Sequence, residues 1–592
     1  MRSALLSALL AAVAAARTLL LLDPTALSSA ANVTVAPGAP SLLALYPGGI
    51  GGGAYAGWAY PCVVAGALAN GSAGYLMLYS ASSCSAPGCW GREPLYTFLA
   101  ESLDGVAWAP VAVPTAPPGA PPGALFASSE VGAVVDDEGG QGVGAGERYK
   151  LLRPDGSIDV SGDARAWAPW GHRWTSVPVD PGFHALRGAR GGSAVLVTAR
   201  PQALRAQGRH AGVIYAPGGW AGLGAQAATP TAPLDAALYR FTQQVYGLPA
   251  FDYGAVLGAD AALPPALRAD EGGGNYVAFA WRLLAADGET GSVSAALAHS
   301  RDGRAWAPAP SAPAPMPALA PDADLPGSTY ATLLNGSSTL SPAACASACD
   351  GDSASCSAWA HVSPGAGLGA GRCELKREAL GAPVAARGVT CGLRAALAAQ
   401  GSAPLPALPA ILPLPTAPSA TAYRQLYPKS LLAARGRLLL YASVSSTLHG
   451  ASAPNASGIA VYELRADGLA GAAGPPAGAG LLVTAPLEWA GGEAALNVLC
   501  GAGGGGGGVR VGVLQGGAPL PGYTLAQAVP APRGCDALDW VPAWGGGGGG
   551  GLAALAGLTV QLQVELSGGA QLFAVRGNFS RWAEGGGGGG LA

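Results

Sequence analysis

The residues of this chain best placed to do chemistry are carboxylates at the ends of apolar runs. Asp23 closes "TLLLL" and precedes a proline. Asp136 and Asp137 close "GAVV". Asp180 sits in "VPVDPGFHAL", ahead of a run that ends at Arg200, and Asp252 closes "VYGLPAF". Pairs of carboxyl groups about 5 to 9.5 Å apart, one an acid and the other a nucleophile or base, cleave acetal bonds between sugars. An Asp and an Arg brought near one axis also bind sugar hydroxyls, which makes Arg200 a candidate substrate contact, with Tyr246 beside it. The plain alternatives are an exposed strand end for Asp23 and a loop turn for Asp136 and Asp137. Other chemistries have less support. The six His are scattered without a His-X-X-X-His pair, Gly-X-Ser-X-Gly is missing, and no Gly run is followed by Lys-Ser/Thr. Neither a metal nor a cofactor is expected.

The elements that must position these residues are short and β-like. Runs at 74–82, 193–200, 275–284, 437–445, 458–465 and 558–567 are rich in Val, Leu and Tyr and end in Gly/Pro punctuation. A short helix at 342–349 is the one helical candidate. An all-β chain follows, a propeller or a sandwich. Ser-X-Asp-Gly-X-X-Trp recurs at Asp104/Trp108 and Asp302/Trp306, with a degenerate copy at Asp163/Trp167 and a weaker one around Trp220. Each copy reads as a turn in which Asp accepts backbone amides, Gly supplies positive φ and Trp fills the gap between sheets. These motifs report the fold rather than the chemistry.

At 592 residues the chain exceeds one compact core. Only 11% of residues are charged and the net charge is -3, so a nucleic-acid partner is not expected. The Gly runs at 503–508, 545–551 and 585–590 read as loop expansions. Residues 1–17 carry one Arg, an apolar run and small residues, the pattern of a cleaved secretory signal. A signal anchor reaching Leu22 is the rival, but Arg17 interrupts the run, and no later membrane span is read. Ten cysteines and five Asn-X-Ser/Thr acceptors, Asn32, Asn70, Asn335, Asn455 and Asn578, point the same way. The expectation is a secreted, glycosylated, disulfide-bonded protein.

The runs "VYGLPAFDYGAVLG", "YVAFAWRLL", "LAHSRDGRAW" and "YPKSLLAARGRLLLYAS" resemble secreted propeller proteins similar to glycoside hydrolase family 32, the invertase-like enzymes. "LLLLDPTALSSAANVTV" looks like the start of the first blade. The C-terminal part is similar to that group's β-sandwich. The resemblance implies a five-bladed β-propeller over 18–320 with a last blade at 420–465, then a β-sandwich at 466–584 and a Gly-rich tail at 585–592. It also implies an Asp nucleophile, a stabilising Asp and a Glu acid at one end of the axis. By position Asp23, Asp136, Asp180 and Asp252 are the catalytic candidates. The chain lacks Trp-Met-Asn-Asp-Pro, Arg-Asp-Pro and Glu-Cys, and Gly254 stands where an acid is expected.

Residues 340–383 resemble a small disulfide-rich PAN/Apple domain, here an insertion at 328–395, a module that binds protein or carbohydrate. Its cysteines are Cys345, Cys349, Cys356 and Cys373. The resemblance suggests Cys349–Cys356 and Cys345–Cys373, although four cysteines allow three pairings. Cys391 pairs outside the motif or stays free. Cys84 with Cys89 could close a loop, and Cys500 with Cys535 could brace the sandwich. A zinc site is disfavoured because His361 is the one His nearby. The function expected is glycoside hydrolase-like action on an extracellular or cell-wall glycan. The alternative is a non-catalytic carbohydrate-binding or adhesion glycoprotein, and activity itself stays open.

Overall fold

The computed structural model describes residues within 17–581, leaving out several stretches, of which 224–244, 335–357 and 394–422 are the longest. The described residues are nearly all β. Helix is confined to Trp220–Leu223, Tyr253–Gly258 and a 3₁₀ turn at Leu552–Leu555. The six runs singled out above fall on strands, among them Ala73–Ser82, Tyr276–Ala285 and Thr559–Ser567. In the last, burial alternates residue by residue, as expected of a strand with one face on a core. The candidate helix at 342–349 lies outside the described residues.

Sets of antiparallel strands succeed one another along the chain. The first runs Cys62–Ala67, Ala73–Ser82 and Leu95–Ser102. The second runs Ala133–Asp136, Tyr149–Leu152, Ser157–Ser161 and Ala168–Arg173. The third is His184–Arg187, Val195–Ala199 and Gly212–Ala216. The fourth places Val245–Gly247 and Ala250–Asp252 beside Tyr276–Ala285, then Gly291–Ser300. The last is Gln425–Ala434, Arg437–Ser445 and Ser457–Arg465, and its outer strand is Ser41–Pro47 from the other end of the chain. The leading strands touch in a cycle. Cys62–Ala67 meets Ala133–Asp136, which meets His184–Arg187, which meets Ala250–Asp252. Gln425–Ala434 meets Cys62–Ala67 on one side and the fourth set on the other.

The Ser-X-Asp-Gly-X-X-Trp turns form as expected and also latch neighbouring sets together. Asp104 Oδ1 accepts from the Ser102 hydroxyl at 2.9 Å and from the amides of Val106 and Ala107 at 2.8 Å, while Trp108 Nε1 donates to the Gly105 carbonyl at 3.0 Å. Gly105, at φ 76°, is pressed so closely on the last set that a Cβ would lie 2.7 Å from Leu439. The turn at Asp302 repeats this geometry, with Gly303 against Leu196 of the third set. At Asp163 the positive φ falls on Ala164, and Arg165 reaches back to the Ala67 carbonyl and Glu101 of the first set. Trp220 differs. It opens a short helix with no Asp turn, so it is not a copy of the motif.

Between the fourth and last sets lies a separate sheet ordered Leu319–Ala320, Val389–Leu393, Ala358–Val362, Arg372–Lys376, Thr329–Leu334. Cys373 stands opposite His361, and Cys391 opposite Ala360. Cys84, Cys89, Cys345, Cys349 and Cys356 lie outside the described residues.

The C-terminal strands form a curled sheet whose halves meet in one core. Leu482, Val511 and Val564 come from one half, and Trp489, Leu496 and Val575 from the other. Cys500 and Cys535 are joined as a disulfide. Residues 17–37, expected at the start of the first blade within 18–320, belong here instead. Arg17–Leu20 pairs with Gln571–Arg581, Leu27–Ala31 with Ala479–Thr484, and Thr34–Pro37 with Ala470–Ala473. Leu19 and Leu21 are buried in the C-terminal core, and burial of that apolar surface is what draws the segment there.

A buried polar network joins the ring to the curled sheet. Asp467, at the end of the last ring set and at φ 61°, receives Asn497 Nδ2 at 2.9 Å, the Tyr253 hydroxyl at 3.3 Å and Arg576. The Tyr253 hydroxyl in turn accepts the Asp467 amide at 2.7 Å. Arg576 and Asp467 are both almost fully buried.

Candidate axial site

The leading strands of the ring begin at a common end. Cys62 Sγ lies 3.6 Å from the Gly132 carbonyl, just ahead of Ala133–Asp136. Lys429 Nζ donates to the Phe183 carbonyl at 2.7 Å, just ahead of His184–Arg187. Ser430 clamps the entry of the first strand, donating to the Pro61 carbonyl at 3.0 Å and accepting the Val63 amide at 2.9 Å. Pro428 supplies no amide to the ladder, and the register breaks between Pro428 and Ser430. The extra residue is Lys429, and a bulge of this kind re-aims a side chain. Here it carries an ammonium across the axis to the third set.

Two further groups share this end. His184 follows Phe183 directly, and its Nδ1 is buried without a hydrogen-bond partner. Burial, aided by the Lys429 charge, pushes its pKa down to about 3, so the ring is neutral at ordinary pH. Burial raises the Cys62 thiol, with Lys429 opposing, which keeps the sulfur protonated. Near Pro61 and Pro428, three aromatic rings from three sets pack together. Tyr60 stacks on Trp281 at 5.8 Å, and Tyr427 meets both edge-on at 6.0 and 5.1 Å. Trp281 Nε1 donates to the Pro428 carbonyl and the Tyr427 hydroxyl to Gln425, so polar bonds as well as packing hold these rings. Tyr60 has φ 38° ahead of a proline, an uncommon conformation for a bulky residue.

The carboxylates named from sequence occupy several places. Asp23 is buried beside Arg301 Nε at 3.0 Å, with His299 Nδ1 at 4.0 Å. The imidazole of His299 also meets Asn275, which donates to the Thr18 carbonyl, so this cluster ties the strand Arg17–Leu20 to the fourth set. Asp136 ends its strand in a two-point contact with Arg148 at 2.9 and 2.7 Å. Asp137 is buried with Lys150 at 2.7 Å, and that ammonium lies over the rings of Trp170 and Trp220. Asp252 caps the helix Tyr253–Gly258 through the Ala255 amide; burial raises its pKa, against the pull of the Ala255 and Gly254 amides. Asp136 and Asp252 therefore stand at the finishing ends of leading strands. Asp180 and Arg200 lie outside the described residues. Tyr246 is on Val245–Gly247, with only its backbone described.

Sequence reasoning passed over Lys429, His184, Tyr60, Trp281 and Tyr427. A signal was present. Tyr-Pro opens two leading strands, in Tyr60-Pro61-Cys62 and Tyr427-Pro428-Lys429, and Lys429 is the one charged residue in a run otherwise wholly suited to a core. No group of His, Cys, Asp and Glu among the described residues could hold a metal ion.

A PAN domain model matches residues 323–376, the separate sheet inserted between the fourth and last sets. No curated protein matches the sequence. Among solved structures, the chain is similar to the BT0996 protein in its complex with RGII, at 9% identity and TM-score 0.31, over 69% of this chain and 92% of that one. An exo-β-1,3-galactanase from Phanerochaete chrysosporium, solved with β-1,3-galactotriose, matches at 9% identity and TM-score 0.17, over 72% and 92%. A β-fructofuranosidase from Schwanniomyces occidentalis, in complex with fructosyl-erythritol, matches at 9% identity and TM-score 0.19, over 94% and 99%. Likenesses this distant carry no argument about site or substrate. No helix among the described residues is long and apolar enough to cross a membrane.

Proposed function

We propose that the protein is a secreted glycan-acting protein of glycoside hydrolase-like design, built on a five-bladed β-propeller. The glycan enters at the axial end where the leading strands begin. What supports this reading is the cyclic contact of the leading strands, whose starting ends meet around the buried side chains of Lys429, Cys62, Tyr60, Trp281 and Tyr427 and the half-buried His184. Ligand sites of ring-shaped β proteins are built where several elements meet, with apolar walls and few fixed polar groups. Asp180, three residues ahead of Phe183 in the sequence, is the carboxylate candidate to test first. The PAN insertion supplies a second contact, to carbohydrate or protein.

The second reading is a glycan-binding protein without turnover. It is supported by the protein partners already held by Asp23, Asp136 and Asp252. One experiment tests both readings. The secreted protein is incubated with fructosides, arabinosides and wall polysaccharides, and bound and released sugar are scored together. Release that disappears in Asp180→Asn supports the hydrolase, binding without release supports the second reading, and neither binding nor release on any polymer refutes the site.

A further inference from the structure

We infer that the mature protein carries N-linked glycan at Asn32 and Asn70 and none at Asn578. The inference rests on the secretory reading above and goes beyond it by separating acceptors that the sequence treats alike. In each modified acceptor the carboxamide Nδ2 bonds to the anomeric carbon of an oligosaccharide carried on a lipid pyrophosphate. The bond from that carbon to the pyrophosphate oxygen breaks, the pyrophosphate departs with the electron pair, and one amide proton is lost to a base of the transferase.

Asn70 is exposed at the tip of the hairpin between Cys62–Ala67 and Ala73–Ser82. Its Oδ1 accepts the Ser72 hydroxyl at 2.7 Å and the Ser72 amide at 3.0 Å. That fixes the carboxamide by its oxygen, next to the hydroxyl the acceptor triplet requires. Asn32 is also exposed, at φ 55°, where the chain turns from Leu27–Ala31 into Thr34–Pro37. A branched, heavily hydrated glycan at either turn displaces nothing.

Asn578 lies within the long strand Gln571–Arg581, opposite Gly491. Side chains alternate along a strand, so Asn578 shares a face with Ala574 and Arg576. Both of those are buried, Ala574 in the ring's apolar cluster and Arg576 on Asp467, and Asn578 itself is half-buried where Asn32 and Asn70 are exposed. The hydroxyl of the same triplet, Ser580, is engaged by Glu488 at 2.9 Å. A glycan here would stand beside the contact between ring and curled sheet, so chains modified at Asn578 would be lost before release. The placement of Asn70 has a functional side. The strand entering its hairpin begins at Cys62 in the axial site, and six residues of strand span about 20 Å. The glycan therefore stands at the far end of the ring and leaves the site open.

The test uses the full chain expressed in a eukaryotic secretory host. Medium and cell-retained protein are treated with peptide N-glycosidase in heavy-oxygen water, and labelled Asp is mapped by mass spectrometry. Label at positions 32 and 70 but not 578 in the secreted pool is expected, with Asn32→Gln and Asn70→Gln each removing one glycan and Asn578→Gln removing none. Comparable label at 578 in secreted, folded protein overturns the inference, as does label at other acceptors with 32 and 70 bare. A chain that stays in the cell with no label anywhere overturns the secretory reading itself, and the inference with it.

Discussion

Replacing Asp467 by Asn removes one negative charge from the contact between ring and curled sheet and little else. Asn tolerates the positive φ that Asp467 adopts, so backbone strain does not confuse the result. The substitution leaves Arg576, 2% exposed, without its counter-ion, and the Nε of that guanidinium already has no hydrogen-bond partner. A buried charge stripped of its partner costs about 3–5 kcal/mol, several times the worth of a neutral hydrogen bond. Asp467→Asn is therefore expected to lower stability by about that much. Asp467→Asn with Arg576→Met leaves no buried charge and should recover more than half of the loss. Urea unfolding followed by tryptophan fluorescence reads both values from the shift in midpoint, provided the slope is unchanged. A single substitution costing less than about 1 kcal/mol, or a double no more stable than the single, would refute the claim that this ion pair holds the two parts together.

Four other outcomes follow from the geometry. Asp104→Ala removes three acceptor contacts from the turn between Leu95–Ser102 and Ala109–Pro110, and should cost about 1–3 kcal/mol in thermal unfolding. Gly105→Ala should cost more, since it adds both positive-φ strain and a Cβ against Leu439 and Tyr441. The pKa of His184 is lowered to about 3 and that of His299 to about 4, each mainly by burial, so unfolded chain binds protons that folded chain refuses. Their contribution is complete above about pH 6.5 and is lost as pH falls toward those values, at up to about 1.4 kcal/mol per pH unit for each. A His184→Gln variant whose midpoint falls as steeply as the parent's between pH 6 and 4 would refute this. Reducing Cys500–Cys535, which closes a 35-residue separation, should cost about 3–4 kcal/mol in the chain-entropy description, read as a lower melting temperature under reductant.

Strands were legible wherever short-range pattern decides them. The Asp104 and Asp302 turns could be read bond by bond, because Ser, Asp, Gly and Trp there satisfy one another within seven residues. The destination of residues 17–37 was not legible. A strand pattern gives the face that is buried but not the partner, and these strands find theirs hundreds of residues away. The axial site was missed for a related reason. Attention to carboxylates passed over a lysine whose aim is set by a bulge, and a bulge is a property of two paired strands rather than of one sequence run.

The pairing of Arg17–Leu20 with Gln571–Arg581, and of Ser41–Pro47 with Ser457–Arg465, fixes the order in which the molecule can come into being. Strands made early complete structures whose other members are made late, more than five hundred residues later in the first case. At about 5–20 residues per second the delay is roughly half a minute to two minutes. Throughout it "RTLLLL" waits without its partner, and "SLLALYP" waits until Ser457–Arg465 is made. A nascent chain of this kind must keep its early strands available until their partners are made, so losing either member of a pair strands the other.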